Sequence, residues 1–364
     1  MSDLTQEQVR EVLQSIKDPA QGRNLEELGM IKAIDILPNK VNISLAVPPL
    51  TSESKQKLIM LCNETLVEKL GDQNYNIHIL SEPVRFEKEE TRSKIKNVLA
   101  VASGKGGVGK STVATNLACA LSLQGHKVGL IDADLYGPSI PTMMGLKGQR
   151  PKTVVVDGQK KIVPLEAHGI SLISIGFIIN PEQAVVLRGP RLSGVMKQFI
   201  NDCHWPELDY LIIDLPPGTG DIQLTMVQTI AVTGALIVTT PPQVAIDDAL
   251  RAANMFRLDN IQVPLLGVIE NMSWFTPAEM PEKKYYLFGE GGGKKLSELL
   301  NIPLLAQLPL VKEAGEYGNK GVPPVMDRNH PIYEYFSNLA EAVEQKVEYR
   351  NKTIDPTNKV EMQN

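Results

Sequence analysis

Gly104-Lys-Gly-Gly-Val-Gly-Lys110-Ser-Thr112 is the stretch that decides the fold class, because it satisfies the phosphate-loop pattern G-x-x-x-x-G-K-[ST]. Glycines at this spacing let backbone N–H groups turn inward around phosphate oxygens. Lys110 is placed to reach the β- and γ-phosphates, and the Ser111 hydroxyl is placed to bind Mg²⁺. The pattern predicts a site for ATP or GTP. Its cofactor-binding residues are Gly104, Lys105, Gly106, Gly107, Val108, Gly109, Lys110, Ser111 and Thr112.

The segments around the loop are those that the motif requires. An apolar run at 98–102 predicts a buried strand, and residues 113–123 carry apolar side chains at helical spacing. A helix that starts here adds a favourable dipole potential for anions. Two more apolar runs, 128–132 and 210–214, each end in an aspartate, as expected of buried parallel strands that deliver acids to one sheet edge. We therefore expect an α/β fold with a doubly wound, mainly parallel sheet.

Three carboxylates are expected at that edge, those of Asp132, Asp134 and Asp214. Mg²⁺ keeps several waters and takes one or two protein oxygens, so Ser111 and Asp214, directly or through water, form a sufficient set. Asp132 and Asp134 then remain to orient the attacking water and the hydration shell of the metal. The sequence leaves open which of these two positions the water.

Lys105 is a second lysine at a position that the motif leaves unconstrained. A cation so early in the loop cannot easily fold back onto the phosphates of its own loop. We therefore expect it to serve a nucleotide held by a second subunit, as an arginine finger does. A solvated surface lysine is the alternative. The first interpretation predicts a homodimer.

Local sequence rules predict the conformation of two other stretches, which are rich in proline or glycine. Pro216-Pro-Gly-Thr-Gly220 follows Asp214 after a single leucine and can continue neither strand nor helix, so we interpret it as a switch loop that senses the γ-phosphate. Gly291-Gly-Gly293 has no strand before it and no Lys-Ser/Thr after it, which predicts a flexible turn opening a helix at 296–300.

Five signatures in chain order resemble the deviant P-loop ATPases that include MinD, ParA and the nitrogenase iron protein, and within them the Mrp/ApbC group of iron–sulfur cluster carriers. The signatures are Ser103 to Thr112, Asp132-Ala-Asp-Leu-Tyr-Gly-Pro-Ser139, Leu187-Arg-Gly-Pro190, Asp214-Leu-Pro-Pro-Gly-Thr-Gly-Asp221 and Glu270-Asn-Met-Ser273. The resemblance implies slow ATP hydrolysis and a homodimer that carries clusters. Its implied partners are iron–sulfur assembly factors and recipient apoproteins.

The resemblance also implies roles for single residues. The catalytic residues would be Lys105, Lys110 and Asp134, and the residues holding Mg²⁺ would be Ser111, Asp132 and Asp214. Asn271 ends the apolar run at 265–269 and would read the adenine edge. An asparagine that caps a turn is the alternative.

Residues 1–82 predict a separate small α+β domain, with a helix near 9–16, strands near 31–37, 41–47 and 77–80, and a helix over 54–70. Ile16-Lys-Asp-Pro19 followed by Asn24-Leu-Glu-Glu-Leu-Gly-Met-Ile31 resembles the small domain attached to Mrp-type carriers and found alone in iron–sulfur assembly factors. A charged linker is predicted over 83–96, the ATPase domain over 97–350 and a polar tail over 351–364.

Composition bounds the partners and the compartment. The net charge of −5, without a long basic run, disfavours nucleic acid. The chain has no apolar stretch of about 20 residues and no targeting pattern at its start, so we expect a cytoplasmic protein without a membrane partner. Three widely spaced cysteines fit a reducing compartment.

The cysteines depart from the pattern of the family. Mrp-type carriers commonly have C-x-x-C after Asn-Met-Ser, so that a dimer holds a bridging cluster, but Pro277 and Met280 stand at those positions here. The small domain reads Val47-Pro-Pro-Leu-Thr51 where a cysteine is customary. Cys119 and Cys203 are expected to be buried thiols, which leaves Cys62 as the remaining candidate ligand. The cluster ligands are therefore unknown, and an ATP-gated dimeric switch without a cluster is the alternative function.

Overall fold

The computed structural model describes residues 4–16, 24–26, 30–37, 40–47, 52–81, 94–134, 137–156, 158–178, 189–259, 261–277, 279–311, 317–318 and 320–357. The chain divides into two compact units, Met1–Ser93 and Lys94–Asn364. No helix in these ranges is both long enough and apolar enough to cross a lipid bilayer.

The smaller unit is an α+β fold. Its elements are α1 (Gln6–Gln14), β1 (Ile31–Leu37), β2 (Lys40–Val47), α2 (Ser52–Leu70) and β3 (Tyr75–Ser81). The sheet order is β1-β2-β3, with β1 antiparallel and β3 parallel to β2. Thr5 and Gln8 form a capping box that satisfies N–H groups at the start of α1. Apolar side chains of both helices and all three strands form one core, including Val9, Leu13, Ile43, Leu45, Leu58 and Leu66.

The larger unit contains the phosphate loop. Its strands are β4 (Ile95–Ser103), β5 (Val128–Asp132), β6 (Thr153–Val156), β7 (Gln159–Ile162), β8 (Leu165–Ala167), β9 (Ile170–Ser174), β10 (Leu208–Asp214), β11 (Gly234–Thr239), β12 (Leu265–Glu270) and β13 (Leu304–Gln307). Its helices are α3 (Lys110–Leu123), α4 (Ile140–Met143), α5 (Gly189–Asn201), α6 (Asp221–Thr229), α7 (Gln243–Phe256), α8 (Gly292–Leu300) and α9 (Ile332–Thr353).

Eight of these strands form one sheet in the order β13-β12-β11-β4-β10-β5-β9-β8, and β6 pairs with β7 separately. All neighbours in the large sheet are parallel except β8 with β9. Successive β4 residues belong to different cores, since Val98 packs with α5 to α8 and Leu99 packs with α3 and α9. Helices therefore cover both faces, which confirms the predicted doubly wound sheet.

The register brings the ends of three strands together. Asp214 pairs with Val101 of β4 on one side and with Asp132 of β5 on the other. Ser174 of β9 is the next neighbour, beside Asp132. Because these strands are parallel, the loop that follows β4 and both acids lie at the same carboxyl edge, where doubly wound sheets bind ligands.

The structure differs from the sequence prediction at both ends of the ATPase domain and at the glycine run. β4 begins at Ile95, inside the predicted linker, and α9 continues to Thr353, inside the predicted tail. The glycine run opens a helix as predicted, but it is tightly packed rather than flexible. A Cβ on Gly292 would lie 2.3 Å from the Pro241 oxygen, and one on Gly293 would lie 2.6 Å from Glu270 Cβ. Close approach of α8 to two strand ends is the reason for these glycines.

Candidate nucleotide site

The phosphate loop bounds a cleft of about 210 Å³ at the carboxyl edge of the sheet. Two glycines show how tightly the loop is built. A Cβ on Gly104 would lie 2.0 Å from the backbone carbon of Asp248 in α7. Gly109 has a φ of 78° and directly precedes α3, so Lys110 is the first residue of that helix. The described lining consists of Ser103, Lys105 to Thr112, Asp134, Ser139 and Pro217.

Lys110 is buried and forms an ion pair with Asp214 inside the protein. Its Nζ lies 2.6 Å from Asp214 Oδ1, and the Ser111 hydroxyl donates to Asp214 Oδ2 over 2.6 Å. Burial raises the pKa of Asp214, whereas the charge of Lys110 opposes that rise. The three residues thus bring a cation, a carboxylate and a hydroxyl together at the start of α3.

Asp132 lies behind the cleft wall and Asp134 lies on it. Asp132 is fully buried, and its carboxylate accepts hydrogen bonds from the Ser174 hydroxyl at 2.9 Å and the Asp134 N–H at 3.2 Å. Burial, with a smaller contribution from the charge of Asp214, raises the pKa of Asp132 above its ordinary value. Among the acids named from sequence, Asp134 is the one placed to meet a ligand in the described part of the cleft.

Lys105 also lines the cleft, with a partly buried side chain. Its carbonyl accepts a hydrogen bond from the Ser103 hydroxyl at 3.1 Å, which fixes the start of the loop. Within the described ranges, no ion pair involves its ammonium group. Lys105 and Lys110 therefore differ sharply, since only Lys110 is neutralised by a buried carboxylate there.

The segment interpreted as a switch loop is tied to β4 and α6. The Gly218 N–H donates to the Ser103 carbonyl over 2.9 Å. Gln223, buried in α6, donates from Nε2 to the carbonyls of Pro216 and Gly218 over 2.9 and 3.1 Å. Pro217, between those carbonyls, reaches the cleft lining. Gln223 thus links the loop conformation to the first turns of α6, a role that the sequence analysis missed.

Asn271 fastens the phosphate loop to the end of β12. Its N–H donates to the Thr239 carbonyl over 2.8 Å, and its Nδ2 donates to the Val108 carbonyl over 2.9 Å. A Cβ on Gly109 would lie 2.2 Å from that Nδ2, so a glycine is needed for the contact. Because Nδ2 donates to Val108, Oδ1 is the acceptor of this amide.

All three cysteine side chains are buried. Cys62, Cys119 and Cys203 are all buried, and burial raises the pKa of each thiol to about 12. The small-unit core encloses Cys62, which does not support it as a cluster ligand. The described ranges also contain no group of three or more His, Cys, Asp or Glu side chains that could hold a metal.

The segment where the family has C-x-x-C forms a short hairpin. Phe275 and Tyr285 exchange backbone hydrogen bonds of 2.9 and 2.8 Å, and the Lys284 ammonium lies 3.9 Å from the ring centroid of Trp274. The four residues 285–288 expose 42% to 59% of their surface. Pro277 and Met280 belong to the chain segment that connects the two sides of the hairpin.

Ser174, beside Asp132, is the other residue of this region that sequence reasoning missed. The run Ile170–Ser174 has the same pattern as the two acid-bearing strands, an apolar stretch that ends in a polar residue, and this signal could have identified it. Several residues of the sequence motifs lie outside the described residues, namely Lys17 to Pro19, Glu27 to Gly29, Pro48 to Thr51, Leu135, Tyr136, Leu187 and Arg188.

Known proteins resemble this chain in sequence and in fold. A family model described as ParA, NUBPL iron-transfer P-loop NTPase, matches residues 94–344. The chain belongs to this family. A second model, described as iron–sulfur cluster assembly protein, matches residues 6–64, in the smaller unit of this NUBPL-type NTPase.

Curated relatives of this NUBPL-type NTPase span nearly its whole length. The iron–sulfur cluster carrier protein of Synechocystis is 41% identical over 89% of this chain and 92% of its own. The carrier of the same name from Escherichia coli K12 is 38% identical over 94% of this chain and 92% of its own. These matches confirm the resemblance to the Mrp/ApbC group.

Solved structures agree on the fold of the larger unit. A nucleotide-binding protein from Archaeoglobus fulgidus, in complex with ADP, aligns with a TM-score of 0.55 and 34% identity, over 68% of this chain and 96% of its own. The cell-division ATPase MinD of Pyrococcus furiosus aligns with a TM-score of 0.51 and 22% identity, over 69% and 99%. The MinD likeness bears on the fold alone.

Proposed function

We propose that this NUBPL-type NTPase is a cytoplasmic, homodimeric iron–sulfur cluster carrier that hydrolyses ATP slowly and transfers clusters to recipient apoproteins. The single observation that carries the nucleotide part is the Lys110, Ser111 and Asp214 constellation at the phosphate loop. The cluster part is supported by the relatives named as iron–sulfur cluster carriers and by the assembly-protein match in the smaller unit.

The donor set at the loop fits Mg²⁺. Ser111 and Asp214 present oxygen atoms only, which are the ligands that this hard cation prefers. They would hold the ion, with Asp132 acting through its hydration shell. Bound there, Mg²⁺ would neutralise charge on the phosphates.

The side chains have separate tasks in hydrolysis. Lys110 exchanges Asp214 for the β- and γ-phosphates, and the backbone N–H groups of residues 104–109 bind phosphate oxygens. Asp134, on the cleft wall, orients the attacking water and accepts its proton. Lys105 of each subunit stabilises negative charge on the nucleotide of the other. The loop at 216–220 follows the loss of the γ-phosphate.

The cluster is cargo, and the buried cysteines restrict how it is held. An iron–sulfur cluster needs thiolate or comparable ligands. Because all three thiols of this chain are buried, those ligands come from non-cysteine side chains, a small-molecule thiol or the partner protein. The relatives favour this carrier over the ATP-gated switch without a cluster.

Anaerobic reconstitution tests the carrier proposal. Protein incubated with ferrous iron, sulfide and a small thiol should take up about two or more irons per dimer and pass a cluster to an apo-ferredoxin. Iron isolated with the protein in air should be substoichiometric. Failure to take up or transfer iron, with ATP hydrolysis intact, would favour the switch instead.

The first prediction concerns thiol reactivity. With each thiol pKa at about 12, roughly one thiol in ten thousand is ionised at pH 8. We expect none of the three cysteines to react with Ellman's reagent within minutes in the native protein, and all three to react in denaturant. Cluster uptake should then be the same in Cys62→Ser, Cys119→Ser and wild type. A selective loss in Cys62→Ser would show that Cys62 is a ligand after all.

The second prediction concerns the base. Asn271 Oδ1 can accept a hydrogen bond from the exocyclic amino group of adenine, whereas guanine presents an oxygen at that position. Asn271→Ala should therefore weaken ATP binding about tenfold and GTP binding less, as measured by calorimetric titration. Ser273→Ala, in the same turn, is the matched control. Equal losses for ATP and GTP would instead indicate that Asn271 only caps the turn and fastens the loop.

A further inference from the structure

Hydrogen bonds from two protein groups hold the carboxylate of Asp132, which does not line the cleft. Both of its oxygens accept hydrogen bonds, Oδ2 from the Ser174 hydroxyl and Oδ1 from the Asp134 N–H. The Asp134 bond connects the buried carboxylate to the backbone of the acid on the cleft wall. Any rotation of the Asp132 carboxylate therefore disturbs the position of Asp134.

Ser174 has a fixed hydroxyl direction. The residue is fully buried at the end of β9, and the parallel register places it beside Asp132. Its Oγ accepts a hydrogen bond from the Gly176 N–H at 3.0 Å. Because that bond occupies the oxygen from one side, the hydroxyl proton is directed to Asp132. One serine thus joins the carboxylate to the turn that follows β9.

That turn supports the other part of the cleft wall. Gly176 lies in the 3₁₀ turn Ile175–Phe177, where a Cβ would be 3.2 Å from Pro138 Cβ and 3.1 Å from Pro141 Cγ. Pro138 precedes Ser139, which lines the cleft. The turn that Ser174 caps therefore packs beneath the segment that carries Ser139.

We propose that Ser174 is a positioning residue for ATP hydrolysis, acting through Asp132 to hold Asp134 and the hydration shell of Mg²⁺ in place. The inference rests on the hydrolysis proposed above. Removing the hydroxyl leaves one oxygen of a buried carboxylate without its hydrogen-bond donor. Loss of such outer partners at metal sites typically lowers metal affinity or activity 10-fold to 100-fold.

The test compares Ser174→Ala, Ser174→Thr, which keeps the hydroxyl, and Ser171→Ala, a control on the same strand. The measurements are kcat and KM for ATP, Mn²⁺ affinity by electron paramagnetic resonance with a non-hydrolysable ATP analogue, and ADP affinity in EDTA. For Ser174→Ala we expect kcat and Mn²⁺ affinity to fall about tenfold, with metal-free ADP affinity within about twofold of wild type. Ser174→Thr should keep kcat and Mn²⁺ affinity near the wild-type values, and Ser171→Ala should match wild type.

A double-mutant cycle separates positioning from general damage. If Ser174 acts through Asp132, Ser174→Ala should have no further effect in an Asp132→Asn background. Full additivity, unchanged Mn²⁺ affinity, or an equal loss of metal-free ADP affinity would overturn the proposal. The Mn²⁺ titration needs no turnover. If the wild-type protein failed to hydrolyse ATP, the proposed function would be refuted. The Mn²⁺ affinity of Ser174→Ala would still show whether Ser174 helps to hold the hydration shell of the metal.

Discussion

Lys110→Ala is expected to abolish ATP hydrolysis and also to destabilise the larger unit. Hydrolysis should fall by at least about 10²-fold, because the γ-phosphate loses the cation that stabilises its charge. Stability should fall because Asp214, fully buried, is left without its ion-pair partner. Removing one member of a buried pair typically costs about 3 to 5 kcal/mol. Denaturant titration and an ATPase assay measure the two effects separately.

A double variant distinguishes the electrostatic effect from the catalytic one. Lys110→Met with Asp214→Asn removes both charges, so most of the stability should return while hydrolysis stays absent. The amide introduced by Asp214→Asn keeps an oxygen that can accept from the Ser111 hydroxyl. Turnover at the wild-type rate in Lys110→Ala would refute the phosphate-loop assignment, and wild-type stability would show that the Asp214 pair is not formed in solution.

Lys105→Ala is expected to lose hydrolysis while keeping both stability and nucleotide affinity. The side chain lines the cleft and has no ion-pair partner in the described ranges, so truncating it leaves no buried charge uncompensated. A cation that acts like an arginine finger contributes about 10³-fold or more to kcat. ATP affinity should change by less than about threefold. Wild-type activity per subunit should also rise with protein concentration as dimers form.

Mixing two inactive variants tests whether Lys105 acts across subunits. In a heterodimer of Lys105→Ala with Asp134→Ala, one site has both its own Asp134 and the Lys105 of the neighbour. Random pairing should therefore restore about a quarter of wild-type activity. Lys127→Ala, at an exposed ion pair remote from the loop motif, is the control. Concentration-independent activity from a monomer, or no recovery on mixing, would contradict the role.

Patterns that are local in the chain were predictable, and pairings set by register were not. The strands Ile31–Leu37 and Val128–Asp132 have the predicted ends, because apolar runs bounded by turn residues fix them. The phosphate loop was legible because its glycines and lysine perform one chemistry at fixed spacing. The Ser174 contact to Asp132 depends on which strand lies beside β5, and spacing carries no information about that.

Long-range packing explains the other differences. The glycine run before α8 looks flexible in sequence, yet Pro241 and Glu270 pack against it. The sequence likewise showed that two acids end two strands, but not that Asp214 would bind Lys110 while Asp132 would lie behind Asp134. Burial and neighbours, rather than residue type, separate the roles of these carboxylates.

In the buried pair of Lys110 with Asp214, the carboxylate competes with the phosphates of a nucleotide for the same ammonium group. A phosphate can bind Lys110 only by displacing the Asp214 carboxylate, whose Oδ1 lies 2.6 Å from Lys110 Nζ. That carboxylate belongs to the same chain and cannot diffuse away. The apparent affinity is therefore the intrinsic affinity reduced by the fraction of molecules in which the pair is open. Every 1.4 kcal/mol or so that favours the closed pair weakens apparent binding about tenfold. Affinity for ATP thus depends on the strength of this internal contact as well as on the loop itself.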